Sequence, residues 1–141
     1  MAIRTSTVSR RRALFEEAVE IIEQEYAGDL ELDAVARRLA TSRRQLQRAF
    51  AEAGNTSFRT RLAEIRMQKA LELLREGSLP VRDVATSVGY RQAAQFAKTF
   101  RRHHGRPPSS IRRERGSAQA VNGAGQRAHV LGPAVIGRAA A

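Results

Sequence analysis

A chain of 141 residues with 42% hydrophobic content can build one modest core or two very small ones. Lys and Arg number 25 against 14 acids, a net charge of +11, and the absence of cysteine excludes disulfides, thiolate metal sites and thiol nucleophiles. No apolar run approaches the roughly 20 residues that span a bilayer. The N-terminal stretch also lacks the apolar segment of a secretory signal, so a cytoplasmic protein is expected.

Residues 1–10 read as a flexible arm. From Arg11 to Tyr26 the apolar residues Leu14, Phe15, Ala18, Val19, Ile21, Ile22 and Tyr26 recur at helical spacing, and Ala27-Gly28 ends that helix. Glu31 to Leu39 is a short helix with Leu32, Val35, Ala36 and Leu39 inward, and the next helix runs from about Arg43 to Ala53. Gly54-Asn55-Thr56-Ser57 is a turn in which Gly and Asn suit positive φ, and Ser57 or Thr56 can cap a long helix, Phe58 to Arg75. The stripe of this long helix is Phe58, Leu62, Ile65, Met67, Ala70, Leu73 and Leu74, and Gly77 terminates it. Pro80 opens a second short helix. Gln92 to His104 is the next helix, ended by Gly105, and Pro107-Pro108 begins a brief final turn through Ile111. From Gly116 half of the residues are Ala or Gly and periodicity vanishes, so a disordered tail is expected, with neither Val130-Leu131 nor Val135-Ile136 docking.

The middle of the chain is written twice. Leu46-Gln47-Arg48-Ala49-Phe50 returns about fifty residues later as Phe96-Ala97-Lys98-Thr99-Phe100. Each copy comes after a short helix, Asp33 to Leu39 or Arg82 to Val88, and a tight turn, Ala40-Thr41 or Gly89-Tyr90. Short helix, turn, second helix is a DNA-reading shape. The expected protein is therefore all-α, of about seven helices. It comprises the arm (1–10), a first helix-turn-helix subdomain (11–56), a linker helix (57–76), a second such subdomain (77–115) and the tail (116–141).

Charge is sorted along with the duplication. Residues 1–33 hold four basic and eight acidic groups, whereas residues 34–115 hold nineteen and six. A positive field concentrated on the repeat points to a polyanion, nucleic acid above all. In the first copy Leu46, Ala49, Phe50 and Ala53 form the buried stripe. The opposite ridge, Arg44, Gln47, Arg48 and Ala51, carries no acid. Arg pairs with guanine O6/N7 and Gln with adenine N6/N7, so this ridge suits base reading, with Arg43 beside it. In the second copy Phe96 and Phe100 point inward, and Gln92, Gln95, Lys98, Thr99 and Arg102 can point outward. Ala93 and Ala94 sit where first-turn side chains approach bases, offering only contact with a thymine methyl, and Arg91 can reach a phosphate or a base. The linker helix of 18–20 residues spans roughly 27–30 Å, close to the roughly 34 Å between successive major grooves on one face of DNA. A rod of that length suits a monomer reading two adjacent grooves.

His103 and His104, adjacent on a helix, point about 100° apart and are poorly placed to share a metal. A phosphate-facing helix end is the plainer reading. With no Gly-rich phosphate loop and no nucleophile–base pair, neither cofactor nor enzymatic activity is expected.

Residues Leu32 to Arg113 resemble the DNA-binding domain of the AraC/XylS family of bacterial transcription regulators. The resemblance rests on Gly89-Tyr90, Phe96, Phe100, Gly105-Arg106-Pro107-Pro108 and Ile111-Arg112. These look like the family's signature of Gly-Phe/Tyr, spaced aromatics, Gly-x-Ser/Thr-Pro, then an aromatic and Arg. The resemblance implies base reading by Arg44, Gln47 and Arg48, and by Ala93, Ala94, Gln95 and Lys98. It also implies regulation of transcription in the nucleoid, with RNA polymerase as a further partner. Ile111 departs from the usual aromatic, Phe58 stands where many members have Pro, and Gly54 falls one residue before the common Gly. Most members carry an effector-binding domain, so the small single-domain kind, or a cut-out domain, is expected here. Two rival readings remain. One is a protein–protein adaptor acting through Glu16, Glu17, Glu20, Glu23 and Glu25. The other is the DNA-targeting module of a repair enzyme, because similar modules are fused to alkyl-transfer proteins.

Overall fold

The computed structural model describes residues 2–114, with side chains from Ser6 onward, and among these it contains seven helices and no strand. They are α1 (Ala2–Glu25), α2 (Leu32–Arg38), α3 (Arg43–Gly54), α4 (Phe58–Glu76), α5 (Val81–Ser87), α6 (Ala93–His104) and α7 (108–114). The expected tail, with Val130-Leu131 and Val135-Ile136, lies outside the described residues.

The helix ends obey local chemistry. Ser42 Oγ accepts the Gln45 amide at 3.1 Å and starts α3; Ser57, rather than Thr56, accepts the Thr60 amide at 3.1 Å and starts α4. Each cap satisfies one of the amides that a helix N-terminus leaves unpaired. Helix α3 ends on Asn55 at φ 51°, whereas α6 ends on Gly105 at φ 78°. Asn is the non-glycine residue best suited to that left-handed position. Gly54 therefore has another task. A Cβ there would lie 2.4 Å from the Phe15 ring, so Gly54 leaves on α3 the space that the Phe15 ring of α1 occupies. This resolves the one-residue offset from the usual glycine.

One expectation is corrected at the N-terminus. The arm 1–10 is not separate: α1 begins at Ala2. Residues 2–10 contain neither Gly nor Pro, so nothing stops the helix from running on.

Two cores form, and α4 belongs to both. The first gathers Ala18, Ile22, Val35, Ala36, Leu46 and Phe50 with Phe58 and Leu62 of α4. The second gathers Val84, Ala85, Val88, Phe96, Phe100 and Ile111 with Met67, Ala70 and Leu74 of α4. Phe58 meets Phe50 edge to face at 5.8 Å, and Phe50 meets Phe15 at 5.1 Å, so the residue standing in place of Pro is a core residue. Ile111 is only 3% exposed and fills its site without a ring. The linker is thus a shared wall, 19 residues and about 28 Å long.

The two turns are built alike. Thr41 N donates to Ala36 O and Tyr90 N to Ala85 O, both at 2.9 Å. Ala40 holds φ 54° where Gly89 holds φ 99°.

Candidate nucleic-acid interface

On α3 the buried side is Leu46, Ala49 and Phe50, which turns Arg44, Gln47 and Arg48 outward. All three are exposed, and their side chains make no hydrogen bond or ion pair among the described residues. On α6, burial of Phe96 and Phe100 leaves Ala93, Ala94, Gln95, Lys98 and Arg102 exposed, with Gln92 at the N-terminal boundary. Lys98 and Arg102 are likewise unpaired among the described residues.

Two candidates are already engaged. Arg43 donates to Asp33 at 2.9 Å, tying α3 to α2, and Arg91 donates to Asp29 at 3.2 Å. Both pairs are largely exposed, where ion pairs contribute about 0–1 kcal/mol. A phosphate can therefore replace either carboxylate at little cost.

Several other arginines serve the fold. Arg11 pairs with Glu52, and Arg61 with Glu64. Arg38 grips Glu25 with two bonds of 2.7 Å, and Arg106 grips Glu114 in the same way. Hydrogen bonds from Arg38 hold the Glu25 carboxyl below its ordinary pKa, and those from Arg106 do so for Glu114. Glu25 is thereby committed to α2 and drops out of the acidic ridge on α1. On α3 and α6, Arg44, Arg48, Lys98, Arg101 and Arg102 keep their charge unpaired among the described residues, as do Arg37 of α2 and Arg59 of α4.

Two sequence expectations for α6 are corrected. Thr99 is 5% exposed, and its hydroxyl donates to the Gln95 carbonyl at 3.0 Å. At i+3 from Phe96 it falls on the margin of the buried stripe, where bonding to the preceding turn satisfies its hydroxyl. His104 does not face outward. Its Nε2 lies 3.1 Å from the Met67 carbonyl, and its ring sits 4.5 Å from that of Phe100. Of the two histidines His103 alone is exposed.

Between α4 and α6 lies a cleft of about 700 Å³. Arg59, Thr60 and Arg66 line it from α4, and Gln95, Arg102 and His103 from α6, with no acid in its wall. The fold thus brings Gln95 and Arg102 together with Arg59, which no local pattern marks as a site residue. Arg59 becomes a candidate only once α6 packs beside the linker. Among the described residues no His, Asp and Glu cluster could hold a metal, and no helix is long and apolar enough to cross a membrane.

Two outward-facing basic helices, each preceded by the same short helix and turn, define a tandem helix-turn-helix DNA-binding protein. Comparison with known proteins agrees. The helix-turn-helix domain family matches residues 35–114. The C-terminal domain of AraT, a response regulator from Geobacillus stearothermophilus, superposes with a TM-score of 0.69 at 33% identity, covering 72% of this chain and 84% of that one. An AraC-type regulator from Chromobacterium violaceum gives a TM-score of 0.70 at 27% identity, covering 76% of this chain and 96% of that one. The Msm operon regulatory protein of Streptococcus mutans is 28% identical over 106 residues, which are 75% of this chain and 38% of that protein. The chain belongs to the AraC/XylS family, whose members are DNA-binding transcriptional regulators rather than enzymes.

Proposed function

We propose that the chain binds double-stranded DNA as a monomer, with α3 and α6 in two successive major grooves, and regulates transcription from that site in the nucleoid. The observation that carries this reading is the unpaired basic face on each of two equivalent helices, held apart by α4. The rod of about 28 Å approaches the roughly 34 Å repeat of the groove.

Arg44, Gln47 and Arg48 read base edges in the first groove. Ala93, Ala94 and Gln95 lie against bases in the second, while Lys98 and Arg102 hold phosphates. Arg43 and Arg91 exchange their carboxylates for phosphates on binding, and Gln92 lies at the edge of the second contact. RNA polymerase is the further partner that the family resemblance implies.

Selection of bound sites from a random DNA pool tests the reading. The expected product is two boxes about 10–10.5 base pairs apart, centre to centre, the first sharply defined and the second loose. Recovery of a single box, or of no preferred sequence, would overturn it.

A further inference from the structure

Arg66 sits near the middle of α4 and touches both heads. Its Nε donates to the Tyr26 carbonyl at 2.7 Å, and its NH2 group to the Gly28 carbonyl at 3.0 Å. Those carbonyls lie just past the end of α1, near the negative end of its dipole, and the Gly28 carbonyl also accepts the Leu30 amide at 3.0 Å. On the other side, the Arg66 guanidinium lies 5.5 Å from the centre of the Tyr90 ring, in the turn between α5 and α6. Gly89 leaves it room: a Cβ there would stand 2.9 Å from the guanidinium carbon. Tyr26 packs against both cores, and Asp29 and Arg91 pair across the same seam.

One planar side chain therefore binds the α1–α2 loop of the first head to the α5–α6 turn of the second. Lysine cannot reproduce this. A point ammonium lacks the fork that meets two carbonyls while presenting a flat face to a ring.

We propose that Arg66 is a positioning residue that sets the separation and angle of the two reading helices, and so selects the spacing of the two DNA boxes. This rests on the two-groove reading. The experiment compares the wild-type chain with Arg66→Met, which keeps the aliphatic stem, and Arg66→Lys, which keeps the charge. Affinity is measured on duplexes bearing the two selected boxes at their selected spacing, and with one base pair added or removed. One base pair rotates the second box by roughly 35° and moves it by about 3.4 Å.

The wild type is expected to lose roughly tenfold in affinity when the spacing changes, about 1.4 kcal/mol. Both variants are expected to bind the selected spacing several-fold more weakly, yet to lose no more than about twofold when it changes. Circular dichroism and melting curves check that they fold. A wild type indifferent to spacing would overturn the two-groove reading itself. A sharp wild type with equally sharp variants would overturn the role of Arg66 alone. Failure of both variants to fold would also overturn it, making Arg66 a determinant of stability instead.

Discussion

At the scale of single residues, the two copies of the turn differ where backbone strain is greatest. Ala40 adopts the left-handed conformation that Gly89 adopts in the second copy. That conformation costs a residue with a Cβ roughly 1–2 kcal/mol, while glycine loses about 0.5–1 kcal/mol more chain entropy on folding. Ala40→Gly is therefore expected to stabilise the fold by up to about 1 kcal/mol, read as a rise in Tm; a fall in Tm would contradict it. The proposed contacts with DNA also divide residue by residue. Arg48→Ala is expected to cost about 1–3 kcal/mol of specific binding and to relax one base position. Lys98→Ala should weaken all sequences alike and lower the salt slope by about 1. Site-selection profiles and salt titrations of both variants distinguish the two outcomes. The exposure of Arg44, Gln47 and Arg48 is legible in the sequence because a face opposite an apolar stripe must be outward. Arg66 is not legible, since its acceptors are main-chain carbonyls 40 and 38 residues away.

Among the elements, periodicity and the local signals at Ser57, Gly77, Pro80 and Gly105 locate every helix from α2 to α6 to within a residue or two, whereas the Ser42 cap of α3 is seen only in the structure. The start of α1 and the inward turn of Thr99 and His104 depend on packing and escape that logic. Two junctions between elements are joined by arginine forks: Glu25 with Arg38 joins α1 to α2, and Glu114 with Arg106 secures α7. Both carboxyls are held below their ordinary pKa by hydrogen bonds from these arginines. A depressed folded-state pKa contributes stability that is fully present above the ordinary carboxylate pKa and is lost as pH falls through the lowered value. Tm should accordingly stay level from neutral pH down to the ordinary carboxylate range and drop below it. The double variant Glu25→Gln, Glu114→Gln should lower Tm slightly at neutral pH, slightly because both pairs are exposed, and its acid drop should be shallower by that same small amount. An unchanged acid profile would show that other groups govern the transition.

For the whole molecule, charge is sorted by place: four basic and eight acidic groups up to residue 33, nineteen and six over residues 34–115. Non-specific DNA binding should weaken steeply between low and physiological salt as Arg and Lys release condensed counterions. A flat plot of log affinity against log salt would rule out this electrostatic contribution. The shared wall has a different consequence. Phe58 and Leu62 complete one core while Met67, Ala70 and Leu74 complete the other, so neither half of the duplication closes a core without α4. Opening one head strips a face of the helix that the other needs. The amide hydrogens in the middle of α4 should then exchange with solvent only through complete unfolding, and at the same free energy as the slowest amides in α3 and α6. An ancestral doubling of this unit would have left two copies that can diverge in what they read but can no longer fold apart.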